Sequence, residues 1–187
     1  AWSGSAGNYG IGGLSTGTYV IAVDTSSLPA GASQTYDLDG TNTPNRADIV
    51  ITNGEAHVEG DFGYRGDIVI GDFVWNDLNT NGVQNGGEAG LTGVTVRLYN
   101  SATNLIASTT TLSDGSYAFT NLLPGTYLLG FVPPSGYELS AKDQGGDTTD
   151  SDADPVTGYT APFALSAGAT NLTLDAGMYA TALPATV

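Results

Sequence analysis

Residues Asp77 to Glu88 read D-L-N-T-N-G-V-Q-N-G-G-E, filling every specified position of the calcium-loop pattern D-x-[DN]-x-[DN]-G-x5-E. Calcium takes roughly six to eight hard oxygens at about 2.3–2.6 Å, so its binding segment must wrap tightly and present oxygens on alternate residues. Asp77, Asn79 and Asn81 have that spacing, and Gly82 permits the sharp turn. Val83 offers its carbonyl, Asn85 binds through water in this scheme, and Glu88 closes the ring with two oxygens. A turn that binds nothing would account for the asparagines and glycines, which favour turns for backbone reasons, but not for two end acids in register. The flanks exclude a helical calcium sensor. Ile68 to Trp75 (IVIGDFVW) is β-branched and aromatic, and Val94 to Leu98 (VTVRL) alternates as a half-buried strand. The expected ion therefore joins strands and pins the edge of a β-domain.

Composition agrees. The 187 residues suffice for one large or two small domains, and 27 glycines, 40% hydrophobic and only 12% charged residues fit an all-β chain with many turns. The absence of cysteine excludes disulfides and thiolate metal sites. No secretory signal opens the sequence and no apolar run reaches about 18 residues, so the reading is a soluble chain without membrane insertion, already processed if exported. With 19 acidic and 4 basic side chains, a net charge of −15, nucleic acid and anionic membranes are poor partners, because binding them rests on Lys and Arg. The acids are densest in DQGGDTTDSDAD, which holds Asp143, Asp147, Asp150, Asp152 and Asp154. Two readings of this run stand side by side: a solvated acidic loop, or a second calcium site, since Asp150, Asp152 and Asp154 project to one side of an extended segment.

The chain also repeats itself. Gly7-Asn8-Tyr9 and Gly17-Thr18-Tyr19-Val20 recur 108 positions later as Gly115-Ser116-Tyr117 and Gly125-Thr126-Tyr127-Leu128. Ile49-Val50-Ile51 and Asp61-Phe62-Gly63-Tyr64 recur 114 positions later as Phe163-Ala164-Leu165 and Asp175-Ala176-Gly177-Met178. The change of offset places about six extra residues in the acidic loop of the second copy. It sets Asp37 and Asp39 near Asp150 and Asp152, or near Asp152 and Asp154, as further candidate ligands. The first copy has no counterpart of Ile70 to Asp114. The expected architecture is tandem antiparallel β-sandwich modules: an incomplete one over 1–66, a complete one over 67–180, and a tail over 181–187. A half-sandwich exposes an apolar face and open strand edges, which invite a strand from another chain. The tail ATALPATV is a candidate donor, with Pro184 counting against a long central strand. Leu183-Pro184-Ala185-Thr186-Val187 also approaches the LPxTG sorting signal, but Val187 stands where glycine belongs, and chance explains so short a match.

Taken together, GDFVWNDLNTNGVQNGGEAGLTGVTVRLYN, TTLSDGSYAFTNLLPGTYLLGF and KDQGGDTTDSDAD resemble the B-type repeat domain of bacterial serine-aspartate repeat surface proteins, within the wider collagen-adhesin B-type and transthyretin-like sandwiches. The resemblance covers residues 67 to 180, and residues 1 to 66 resemble the C-terminal half of another copy. It implies an extracellular, cell-surface, calcium-binding β-sandwich strung in tandem as a stalk. Its first site comprises Asp77, Asn79, Asn81, Val83, Asn85 and Glu88, and a further site draws on the DSDAD aspartates with Asp72. The Lys–Asn isopeptide bond of related sandwiches is not expected, because the one lysine, Lys142, lies in the acidic loop.

Catalysis is not expected. His57 is the one histidine, and in GEAHVEGDFGY it reads as an exposed residue of an alternating strand. Trp2, Trp75 and ten tyrosines could form a stacking platform, which keeps a carbohydrate- or host-ligand-binding adhesin domain as the alternative function. Phe73 with Trp75, and Tyr117 with Phe119 and Tyr127, instead alternate as core residues. The reading is thus a structural module: a calcium-stiffened stalk, adhesin segment or filament subunit, with Ca2+ and neighbouring copies or adjacent repeats as partners. On sequence alone, Asp77→Ala or Glu88→Ala should lower only the calcium-dependent part of stability.

Overall fold

The structure, a computed structural model, describes residues 4, 7–40, 42–52 and 56–181. Trp2, Asn53, Gly54 and the LPATV tail lie outside these. The chain divides into two compact units, Ala1–Leu28 with Ser33–Arg65, and Pro29–Ala32 with Gly66–Val187.

In the first unit, β1 (Gly17–Ala22) pairs antiparallel with β3 (Arg46–Ile51), and β2 (Ser33–Asp37) pairs antiparallel with β4 (Phe62–Arg65). Polar and apolar residues alternate along β3, so Ala47, Ile49 and Ile51 turn inward while Val50 stays exposed. Ile21, Ile49 and Ile51 line a groove of about 780 Å³ with Tyr9, His57 and Val58. His57 departs from expectation: it lies in an irregular stretch rather than a strand, and it is half-buried. The alternation around it is too short to secure pairing.

The second unit is a sandwich. Its first sheet is built on β5 (Ile68–Asn76), which pairs antiparallel with β8 (Ser116–Leu122) on one edge. Along the other edge, β12 (Thr170–Asn171) and β13 (Ala176–Ala180) pair parallel to it, and β10 (Tyr137–Leu139) adds to β13. The second sheet runs β11 (Phe163–Leu165), β9 (Gly125–Val132), β6 (Thr95–Asn100), β7 (Leu105–Thr110), all antiparallel. Ile68, Ile70 and Val74 of β5, Tyr117 and Phe119 of β8, Val96 and Leu98 of β6, and Leu129 and Phe131 of β9 form one core cluster between the sheets. Burying such side chains supplies about 1.5–3 kcal/mol each. The inward face is occupied by every second residue, as the period of a strand dictates.

The repeat extends to strand register. Gly17 lies across from Ile51 and Tyr19 from Ile49, while their counterparts Gly125 and Tyr127 lie across from Leu165 and Phe163. The edge of β1 that corresponds to the β6-paired edge of β9 has no strand partner among the described residues.

Candidate metal centre

Asp77 follows the last residue of β5, and the loop it opens is closed at its base. Asn76 N–H donates to Ala89 O, Leu91 N–H to Val74 O, and Asp77 N–H to Met178 O. Within that ring the polar side chains singled out from the sequence hydrogen-bond to one another and to the ring's own backbone. Asp77, 1% exposed, accepts from the N–H groups of Asn81 (3.2 Å) and Gly82 (2.8 Å). Asn79 Oδ1 accepts from Asn81 N–H, and Asn81 Oδ1 from Val83 N–H. Asn85 Oδ1 receives the side-chain amides of Asn79 (2.7 Å) and Asn81 (2.9 Å). Glu88 spans the opening, accepting from Leu78 N–H on one oxygen and Asn85 N–H on the other. Burial opposes ionisation of Asp77, but the nearby Ser140 hydroxyl and the N–H groups of Gly82, Asn81 and Thr80 favour the charged form and hold its carboxyl below the ordinary value.

The acidic loop is laced to this ring. Val83 bridges Asp150, Gln84 N–H donates to Thr149 O (2.7 Å), and Ser151 N–H donates to Gly82 O (3.0 Å). Gly82 adopts φ +73°, and a Cβ there would stand 2.1 Å from Ala141 O, so only glycine lets the two loops meet. The five acids of the run separate into different roles. Asp150 is buried, with Oδ2 accepting from Gly145 N–H. Asp152 pairs with Asp175. Asp143 is exposed and ion-paired with Lys142 at 3.1 Å, and Asp147 is exposed. Asp154 caps the turn that follows, accepting from Val156 N–H and from Thr157 N–H and hydroxyl, which hold its carboxyl below the ordinary value. Asp37 and Asp39 belong to the first unit. Asp37 ends β2 with its Oδ2 held by Gln34, and Asp39 accepts from the Thr43 hydroxyl.

A second acidic centre lies beneath the two loops, and one member was not singled out from the sequence. Asp175 is 2% exposed, and its Oδ2 is buried without a hydrogen-bond partner. Its Oδ1 accepts from Phe73 N–H at 3.2 Å, and its own N–H donates to Asp152 Oδ2 at 2.7 Å. Burial, then the neighbouring charges of Asp72 and Asp152, push its carboxyl up to about 8. Burial also pushes Asp152 up to about 7, with Asp150, Asp147 and Asp143 adding to the shift, and raises Asp72. The repeat pattern had displayed Asp175 as the counterpart of Asp61; strand register alone brings it to Asp72.

Among the described residues no three His, Cys, Asp or Glu side chains are gathered into a ready metal cluster. In the 77–88 ring most donors are amide and carbonyl oxygens. That all-oxygen set, and the partnerless buried Asp175 Oδ2, fit a hard divalent cation such as calcium and do not fit a softer metal that seeks imidazole or thiolate. Trp75 is fully buried, with Gly177 packed against its ring, and offers no face for stacking a sugar.

Comparison with known proteins agrees with this architecture. The SdrD B-like domain family matches residues 68–178. Serine-aspartate repeat-containing protein D of Staphylococcus aureus (strain Newman) is 36% identical over 181 residues, 94% of this chain and 13% of that protein. Serine-aspartate repeat-containing protein F of Staphylococcus epidermidis is 33% identical over 184 residues, 95% of this chain and 10% of that protein. The chain thus spans only a small part of the relatives it matches. The crystal structure of GBS52, the minor pilin of Streptococcus agalactiae, shows a loose likeness, with TM-score 0.43 and 12% identity over 79% of this chain and 66% of that one. No described helix is long and apolar enough to cross a membrane. The matched span runs from the start of β5 into β13 and takes in both acidic centres, and on that match the chain belongs to the SdrD B-like domain family of cell-surface repeat modules.

Proposed function

We propose that the chain is a calcium-stiffened spacer of an extracellular surface protein, and that its work is mechanical. The observation that carries this reading is the lacing of the 77–88 ring to the acidic loop. Backbone hydrogen bonds, Gln84 N–H to Thr149 O and Ser151 N–H to Gly82 O, join the ring to an acidic segment whose charge would otherwise repel it. A cation held by Asp77, Asn79, Asn81, Glu88 and the Val83 carbonyl would lock the ring. Binding to the folded state alone adds stability by mass action, about 1.4 kcal/mol when free calcium is roughly ten times Kd. Sites of order 10⁻⁴–10⁻³ M suffice outside cells.

The test is the calcium-dependent rise in melting temperature of the intact chain and of Glu88→Gln. Glu88 is half-buried and accepts two backbone N–H groups, one of which a glutamine oxygen can still take, so the metal-free protein should lose under about 1 kcal/mol. The calcium increment should fall by more than half; an unchanged increment would refute the assignment. Asp77→Ala is the poorer probe, because Asp77 is buried and satisfies two N–H groups, so its loss weakens the metal-free protein as well.

Assembly with adjacent repeats or copies is the companion reading. It is supported by the edge of β1 that has no strand partner among the described residues and by the groove lined by Ile21, Ile49 and Ile51. A strictly monomeric chain by light scattering across micromolar to millimolar concentration would remove strand addition between copies.

A further inference from the structure

The sequence contains three Asn-Gly steps, at 53–54, 81–82 and 85–86. Such steps are where a backbone nitrogen can attack the preceding side-chain amide, because glycine leaves the nitrogen unhindered. The first step lies outside the described residues. The other two sit four residues apart in the same ring, in opposite chemical situations.

At the 81–82 step the attacking nitrogen is restrained. Gly82 N–H donates to Asp77 Oδ2 at 2.8 Å in a buried position, and Gly82 O accepts from Ser151 N–H. The Asn81 amide oxygen is held by Val83 N–H. Gly82 is also wedged against Ala141 O. Closing a ring there means breaking the hydrogen bonds that join the two loops.

At the 85–86 step the nitrogen itself carries no hydrogen bond, and the turn around it is closed only by Glu88, through Glu88 N–H to Asn85 O and Asn85 N–H to the Glu88 carboxylate. Gly86 is exposed, its N–H makes no hydrogen bond, and no atom lies within 4 Å of where a Cβ would stand. The electrophile is activated instead. Asn85 Oδ1 receives two amide N–H groups, from Asn79 at 2.7 Å and Asn81 at 2.9 Å. Two donors on one carbonyl oxygen polarise its carbon and stabilise the negative charge that develops there on attack, as an oxyanion hole does.

We infer that Asn85 is a self-modifying position that deamidates through a cyclic imide while Asn81 is protected. Gly86 nitrogen, losing its proton to solvent base, forms a bond to Asn85 Cγ. The Cγ–Nδ2 bond breaks, and the amide nitrogen leaves as ammonia after taking up a proton. Water then adds to either imide carbonyl and opens the ring, giving an aspartate or an isoaspartyl linkage at position 85. No oxidant, reductant or further reactant is needed. The product adds a third carboxylate to a ring whose charged members are Asp77 and Glu88. The chemistry requires only the hydrogen bonds described, so it stands apart from whether a metal enters the ring.

The experiment incubates the full chain in chelator at neutral pH and 37 °C, and follows proteolytic peptides by mass with enzymatic labelling of isoaspartate. Deamidation at position 85 should outpace that at position 81 by roughly tenfold or more. Gly86→Ala, which meets no neighbour, should slow it by a similar factor while melting is unchanged. Denatured protein should lose the difference between the two steps, since both then become unrestrained. Equal rates at the two positions in folded protein, or no effect of Gly86→Ala, would overturn the inference.

Discussion

Freed of divalent cations, the protein becomes less stable as pH rises from about 5 to about 8. The cause is the acidic trio of buried Asp175 with half-buried Asp72 and Asp152. In the unfolded chain these carboxyls titrate near 3.9. In the folded chain Asp152 is pushed up to about 7 and Asp175 to about 8. Between those values the folded state holds more protons than the unfolded one, so unfolding releases protons and stability falls with rising pH. The stabilisation by protonated carboxyls is full below about pH 4, already declining at pH 5, and gone above about pH 8. Because the groups share one penalty and Asp152 is half-exposed, the total loss is set at about 3–5 kcal/mol rather than the sum of two independent shifts. Denaturant titration in chelator, followed by the fluorescence of buried Trp75 in a Trp2→Phe background, should show this slope. Asp175→Asn should flatten it by removing the most strongly shifted carboxyl. Stability in chelator that rises from pH 5 to pH 8 would contradict the account.

The second large effect belongs to Gly82→Ala. A methyl group there meets Ala141 O at 2.1 Å, a backbone atom that cannot swing aside, and the residue must also hold φ +73°. The left-handed conformation costs about 1 kcal/mol for alanine, and relieving the clash adds typically 1–3 kcal/mol. The expected loss is therefore about 2–4 kcal/mol in metal-free protein, with the contacts of Gln84 to Thr149 and Gly82 to Ser151 opened. The calcium increment should be reduced as well, since the ring then parts from the acidic loop. Gly86→Ala, four residues on, should change metal-free stability by under about 0.5 kcal/mol. Equal effects of the two substitutions on melting would show that the loops do not meet at Gly82.

What could be read from the residues was what is local. The ring from Asp77 to Glu88 is a short segment whose spacing is fixed by chain connectivity, and within it Asn79 and Asn81 meet at Asn85 Oδ1. Strand alternation in IVIGDFVW and VTVRL marked β5 and β6, and the repeat offsets anticipated the shared register of β1 with β3 and of β9 with β11. Pairings between distant segments left no such trace. The parallel contact of β13 with β5 brings Asp175 against Phe73, 102 residues earlier, and no periodicity in either segment points to the other. The even spacing of the acidic run likewise concealed a division that only folding makes, with Asp150 and Asp152 drawn inward and Asp143, Asp147 and Asp154 left to ion pairing, solvent and turn capping. His57 was misplaced because a few alternating residues resemble a strand whether or not a partner exists.

The central claim is that the ring between β5 and Gly90 takes a hard divalent cation. Isothermal titration of calcium into metal-stripped protein, run in parallel on an Asp77→Asn/Glu88→Gln double variant, tests it most directly. Saturable heat at submillimolar to millimolar calcium is expected, with at least one ion per chain, and at least one fewer ion in the variant. No heat beyond dilution at millimolar calcium, or the same stoichiometry in both proteins, would contradict it.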